Sequence, residues 1–296
     1  KMGVESFPAL VYAGEEKAFI DPRRPSNAFN HVILCIPTEN DTIWAECTSN
    51  RLPLNYLSDF TDDRYVMLMT PTGGKLTRTP AYSSDENRAE RIISVDLSPT
   101  GSAEIKMEGM YHKLAIDKSL FMFRELTNVS REKLIAAATS FNSFDVRQAD
   151  VQLYPGAEPL MKVNVDITER LFGKRMNTKL LLSPFRFKLS LPQFEKEERG
   201  EAIEFTRGYT FVDTVRINIP NGMKLQQSFP NQSRTEKFGS FDLSLEMSGN
   251  GNQLLATRKI IYHEGIYEAN EYNAIKSFFD EANSSSSAYI ILQSEK

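Results

Sequence analysis

Apolar and polar residues alternate over most of this chain at the two-residue period of a strand with one dry and one wet face. Val163, Val165 and Ile167 are separated by Asn164, Asp166 and Thr168, and Phe211, Val215, Ile217 and Ile219 hold odd positions in 209–219. Arg91 to Leu97 and Ala103 to Tyr111 flank Ser98-Pro99-Thr100-Gly101, which predicts a hairpin. Further strands are expected at 149–154, 160–168, 177–182, 239–247, 253–262 and 288–292. Nearer the start the apolar runs are shorter, at 9–12, 29–36, 42–48 and 65–69. The proline-rich stretch Asp21 to Asn27 predicts a loop, and Thr72 to Lys75 a turn. Pro37-Thr38-Glu39-Asn40-Asp41 predicts a turn that pairs 29–36 with 42–48. Helical spacing appears at 118–126, at 131–140 with Ser130 as N-cap, and at 268–282, where Ile275, Phe278 and Phe279 share one stripe.

These elements predict a mainly β (α+β) chain, with antiparallel β-sandwich material and helical insertions. Three units are expected: 1–88, 89–190 and 191–296, with Ser83 to Arg88 as the first linker. The 296 residues are 41% hydrophobic and 25% charged, enough to bury a core. The net charge of −4 argues against nucleic acid as a partner, because phosphate-binding surfaces carry a basic surplus. No apolar run reaches the ~18 residues of a membrane-spanning helix. Lys1 to Glu5 lack the apolar core of a signal peptide, and Phe7 to Ala13 read as a strand, so the chain reads as cut from something longer.

No cofactor or metal motif emerges. Asp59, Asp62, Asp63 and Asp85 lie in polar loops without the ligand spacing and bend glycine of a calcium loop, and they read as solvated turns. Gly73-Gly74-Lys75 lacks the spacing of a phosphate loop. The two cysteines, Cys35 and Cys47, are too few for a disulfide framework.

The candidate chemistry lies in the hairpin. His31 starts its first strand and Glu46 ends its second. With the turn centred near Thr38 and Glu39, the two stand directly across from each other, with Cβ atoms about 4.5–5.5 Å apart. A one-residue slip would put them on opposite faces. An imidazole oriented by a carboxylate can serve as the base and orienter for a nucleophile in hydrolysis or acyl transfer. The nucleophile is missing. Cys35 lies four residues along the strand from His31, roughly 13 Å at about 3.3 Å per residue, and Cys47 would face away from Glu46. Both cysteines read as small buried hydrophobes, and a bond between them conflicts with the register that aligns His31 and Glu46. His112 and His263 have no acid or cysteine pattern around them, and Trp44 reads as core or cleft floor.

Phe29 to Pro37, with Trp44 to Ser49, resembles the histidine and acid strands of bacterial transglutaminase-like proteins of the papain-type cysteine peptidase superfamily. Tyr56 to Arg64 and Thr70 to Leu76 are similar to the segment just after those strands in a multidomain envelope group. Arg258 to Tyr262, Tyr267, Glu271-Tyr272 and Phe278-Phe279 are similar to the end of that group's last domain. The resemblance is carried by 5–82 and 200–296. Many such relatives have aspartate where this chain has Glu46. The resemblance implies the C-terminal half of a transglutaminase-like core followed by β domains, located in the periplasm or cell envelope. It implies His31 as general base and acid, Glu46 as orienter, and a cysteine on a helix ahead of residues 7–13. Thiol peptidase, amidase or transglutaminase activity on peptide or protein substrates would follow, with this chain alone inactive. The alternative is a non-catalytic envelope scaffold whose β domains bind protein or glycan partners.

Overall fold

The computed structural model describes residues 3–14, 17, 20–21, 23–24, 28–48, 53–116, 126–154, 159–248 and 251–294. Strands hold 49% of the described residues and helices 12%, so the fold is mainly β, as the alternation predicts. Among the described residues no helix is long and apolar enough to cross a membrane.

The first five strands form one antiparallel sheet. β1 (Phe7–Val11), β2 (His31–Pro37), β3 (Thr42–Ala45), β4 (Tyr65–Thr70) and β5 (Gly73–Arg78) lie in the order β3-β2-β1-β4-β5. Val11 pairs with His31, Ala9 with Ile33 and Cys35 with Trp44. Side chains at paired positions share a face, so Ala9, Val11, Ile33, Cys35, Trp44, Val66 and Leu68 form one dry side, closed by Ala13 and Leu57. Gly73 and Gly74, expected within a turn, begin β5 instead. The reversal needs only Pro71 and Thr72, because Thr70 pairs with Gly73, and Gly73 takes a φ of 123° that other residues avoid.

The chain continues with β6 (Arg88–Leu97), β7 (Ala103–His112), α1 (Asn128–Ala138), β8 (Phe144–Tyr154), β9 (Leu160–Glu169), β10 (Gly173–Met176) and β11 (Lys179–Leu182). Then come β12 (Ile203–Phe205), β13 (Tyr209–Asn218), β14 (Met223–Gln227), β15 (Gln232–Glu236), β16 (Gly239–Ser248) and β17 (Gln253–Tyr262). β18 (Gly265–Tyr267), α2 (Tyr272–Ser284) and β19 (Ile290–Ser294) complete it. Helix α1 begins earlier than expected: Thr127, not Ser130, is its cap, because Thr127 is extended and its Oγ1 accepts from the Ser130 amide at 3.2 Å. The helix expected at 118–126 lies outside the described residues, Leu126 apart.

Eight strands form a second sheet, in the order β15-β16-β17-β13-β6-β7-β9-β8. Strands from both sides of residue 190 share it. They meet where β6 and β13 run parallel, from Arg88 beside Thr210 to Asp96 beside Asn218. One face is dry. Val95, Ile105, Ile167 and Ile217 share a core there with Leu180, Leu182, Ile290 and Leu292 of the four-stranded sheet β10-β11-β19-β14. Beside it, Ile275, Phe278 and Phe279 of α2 pack with Phe238, Phe241 and Ile260.

Two buried charge clusters interrupt this apolar interior. On the dry face, Arg91 Nε and Nη2 donate to Asp213 at 2.6 and 2.9 Å, and Arg258 Nε donates to the same carboxylate at 3.1 Å. Burial alone would disfavour the Asp213 carboxylate, yet the two guanidiniums hold its pKa below the ordinary value of 3.8. The second cluster joins the five-stranded sheet to the rest. Arg207 Nε and Nη2 donate to Asp62 at 3.1 and 2.5 Å, and Nη2 also donates to the Asp59 carbonyl at 2.7 Å. Asp62, expected in a solvated turn, is only 1% exposed, because the loop carrying it is pressed against the residue 206–207 bend. Tyr56 from the same loop enters the main core, and Asn87 Nδ2 bridges the Tyr82 and Gly208 carbonyls at 3.2 and 3.0 Å.

Candidate functional site

His31 opens β2 on the dry side of the five-stranded sheet, at the end where that side meets solvent. Asn30 fixes the strand start. Its amide donates to the Val11 carbonyl at 3.1 Å, its Oδ1 accepts from the Ala13 amide at 2.6 Å, and its Nδ2 donates to the Ala13 carbonyl at 3.0 Å. The imidazole Nε2 lies 3.0 Å from both carboxylate oxygens of Glu46. The two side chains are 17% and 7% exposed, so the contact is largely shielded from water.

The register that makes this contact differs from the one expected. Leu34 pairs with Ala45 and Pro37 with Thr42, so the turn centres between Glu39 and Asn40, one residue later than predicted. Pro37 stays in the strand, and the Thr38 amide and hydroxyl both donate to the Asp41 carbonyl at 2.8 Å, closing a four-residue loop. The shift is two residues in pairing, which preserves the face. Continuing the register puts Glu46 beside Ile33, diagonal to His31. Diagonal neighbours sit about 7–8 Å apart, within reach of a long side chain. The extra methylene of glutamate covers that offset.

Glu46 Oε1 also accepts from the Thr48 hydroxyl at 2.8 Å and the Thr48 amide at 3.2 Å. These donors match an ionised, acceptor-only carboxylate. An ionised Glu46 can only accept, so this contact requires the proton on His31 Nε2. Phe60 packs edge-on to the imidazole with ring centroids 5.8 Å apart, and it is itself 43% exposed. Arg64 holds the Phe60 loop in place. Its Nη1 donates to the Tyr12 carbonyl at 2.7 Å, and its Nη2 to the carbonyls of Gly14 and, at 2.8 Å, Asp59. The free edge of β3 is partly capped by Asn55, whose amide donates to the Trp44 carbonyl at 2.9 Å and whose Oδ1 accepts from the Trp44 amide at 3.1 Å. Asn55 reaches both groups in a left-handed conformation, φ 63°.

Neither cysteine joins the pair. Both are free thiols. Cys35 is buried on the same face as His31, and burial pushes its thiol pKa up, away from a reactive thiolate. Cys47 is exposed rather than buried as expected: it lies beyond the end of β3, with its thiol 3.5 Å from the Ala45 carbonyl. A thiol-specific reagent should titrate one sulfhydryl quickly in the native protein and the second only in denaturant. Two fast thiols would show that the sheet is not closed over Cys35. Trp44 is buried and lines a groove of about 750 Å³ on the same face, toward the hairpin end, with Cys35 and Leu68. Among the described residues, no three His, Cys, Asp or Glu side chains group as metal ligands. His263 Nδ1 lies 3.1 Å from the Ser84 hydroxyl, far in sequence from the His31 pair.

Residues 178–292 match the family described as a domain of unknown function with solved structure, DUF3858. That stretch runs to the last strand and leaves out the His31 sheet. No curated protein matches the chain. Among solved structures, the chain is similar to that of a candidate protease from Parabacteroides distasonis ATCC 8503, at 12% identity and a TM-score of 0.48, over 98% of this chain and 40% of the other. The chain thus spans well under half of the protein it matches there. A likeness of that degree bears on neither the site nor the activity.

Proposed function

We propose that this chain contributes the histidine and acid of a transglutaminase-like thiol hydrolase or acyltransferase, with the nucleophilic cysteine supplied from outside the chain. The observation that carries this reading is the 3.0 Å contact of His31 Nε2 with both oxygens of Glu46, which leaves Nδ1 to take a proton. In such a site the imidazole removes the proton of a thiol as it attacks an amide carbonyl, then returns it to the departing amine. Glu46 holds the ring in one tautomer and stabilises the imidazolium formed between the two steps. The exposed Phe60 ring would flank a peptide or isopeptide substrate. Asn30, Thr48 and Arg64 act as positioning residues through their bonds to β1, to Glu46 and to the Phe60 loop. The resemblance that supports this reading also suggests an envelope location.

The test compares this chain with the full-length gene product in peptidase and transamidation assays. The full-length protein should turn over, and His31→Ala should lower its rate on the order of 10²–10⁴-fold, the usual contribution of general acid–base catalysis. This chain alone should be inactive. Turnover by this chain alone would overturn the missing-nucleophile reading. A full-length protein indifferent to His31→Ala would overturn the catalytic one and leave a scaffold or binding role for the β domains.

A further inference from the structure

A second cavity lies away from the His31 pair, between α1, the segment after Phe187 and the dry face of the eight-stranded sheet. Its volume is about 740 Å³, within the roughly 300–1,000 Å³ of small-molecule pockets. The walls are mostly apolar: Met107 and Val163 from the sheet, Leu134 from α1, then Phe187 and Phe211. We propose that this cavity binds a small amphipathic monocarboxylate, with an apolar body against these walls and one acid group toward Arg91.

The charge on the lining sets the class of ligand. Arg91 and Lys188 are its charged groups, and no Asp or Glu is among the described lining residues. Arg91 also belongs to the buried cluster in which two guanidiniums share the single carboxylate of Asp213. That cluster has a net charge of +1 in a region where Arg258 is 1% exposed and Asp213 2%. An uncompensated buried charge is costly, and one ligand carboxylate would bring the count to two cations and two anions. Nearby tyrosines do not supply the missing charge: burial pushes the Tyr209 phenol up to about 12 and raises Tyr262 as well, so both stay neutral. Tyr111, which also lines the cavity, is near enough to Arg91 to act on its charge. The Lys188 amine, held 3.0 Å from the Ala137 carbonyl, adds a second, exposed cation. A neutral apolar ligand would fill the space and leave the charge unmatched. A dianion would exceed the one charge left over in the buried cluster, because the second cation, Lys188, is exposed and screened by water.

The experiment is calorimetric titration of the whole chain with octanoate, octanol and octyl phosphate. Octanoate should bind at least 10-fold tighter than octanol and no more weakly than octyl phosphate. Leu134→Trp, which fills the cavity from a partly buried helix position, should abolish octanoate binding with the circular dichroism unchanged. Lys188→Gln should weaken octanoate several-fold and leave octanol unaffected. Equal affinity for octanoate and octanol, or tighter binding of octyl phosphate, overturns the assignment. So does a folded Leu134→Trp that still binds octanoate. If Leu134→Trp does not fold, the three ligands and Lys188→Gln decide the matter.

Discussion

Replacing Asp213 with alanine is expected to cost on the order of 3–5 kcal/mol of folding free energy, the loss found when one member of a buried ion pair is removed. Arg91 and Arg258 would then face each other inside the eight-stranded sheet without a carboxylate between them. The bonds from Arg91 Nη1 to the Lys188 carbonyl at 3.0 Å and from Arg258 Nη2 to the Phe187 carbonyl at 2.9 Å would remain, and a carbonyl satisfies a donor without bringing an opposite charge. Urea unfolding followed by circular dichroism measures the effect, and a loss below about 1 kcal/mol, the size of an exposed pair, would show that the cluster is not isolated from water. The pH dependence has a definite sign. The Asp213 carboxyl titrates below 3.8 in the folded chain, so the unfolded chain binds its proton first as the pH falls. The stabilisation is complete above that ordinary value and disappears only as the pH drops through the lower, folded one. Removing all three charges together in favour of apolar residues should cost much less, because the desolvation penalty goes with them.

Asp62→Ala should produce a loss of similar size, about 3–5 kcal/mol, but with a different readout. Arg207 would stay at 9% exposure against the five-stranded sheet, with the Asp59 carbonyl still accepting from Nη2 and no carboxylate opposite it. The penalty falls on the joint between the His31 sheet and the eight-stranded sheet. Limited proteolysis should therefore cut the variant first in the 79–88 region, while the eight-stranded sheet keeps its resistance. Cleavage spread evenly along the variant would show that the two sheets unfold as one unit. Lys17, which donates to the Thr206 carbonyl at 3.0 Å, crosses the same joint and gives a milder control.

Much of the fold is legible in the alternation. Strands 209–218, 239–248 and 253–262 fall within a residue or two of their expected limits, because each carries a mostly apolar row of alternate side chains. The meeting of His31 and Glu46 is legible for a related reason: a pairing error of two residues keeps parity, so the shared face survives a wrong turn centre. Other features leave no local trace. Strands β10, β14 and β15 are rich in Lys, Arg, Gln and Ser, and they exist through pairing rather than through an apolar row. Asp62 looks like any loop acid until Arg207, 145 residues later, is placed beside it. Asp213 carries a trace of its own. It interrupts the odd-numbered apolar row of β13, and a polar residue on a dry face implies buried partners, though not which ones. Phe60 and Arg64 belong to a stretch with no periodic pattern, so their nearness to His31 depends on where the loop folds back.

The parallel contact between β6 and β13 has a consequence for synthesis on the ribosome. Arg91 waits for a partner 122 residues downstream, and until then one edge of β6 has no neighbour to complete it. The N-terminal half emerges with that row of amides and carbonyls open to any passing strand. Translation at about 5–20 residues per second leaves this gap for seconds. A nascent chain arrested near residue 200 would be the species most in need of a chaperone.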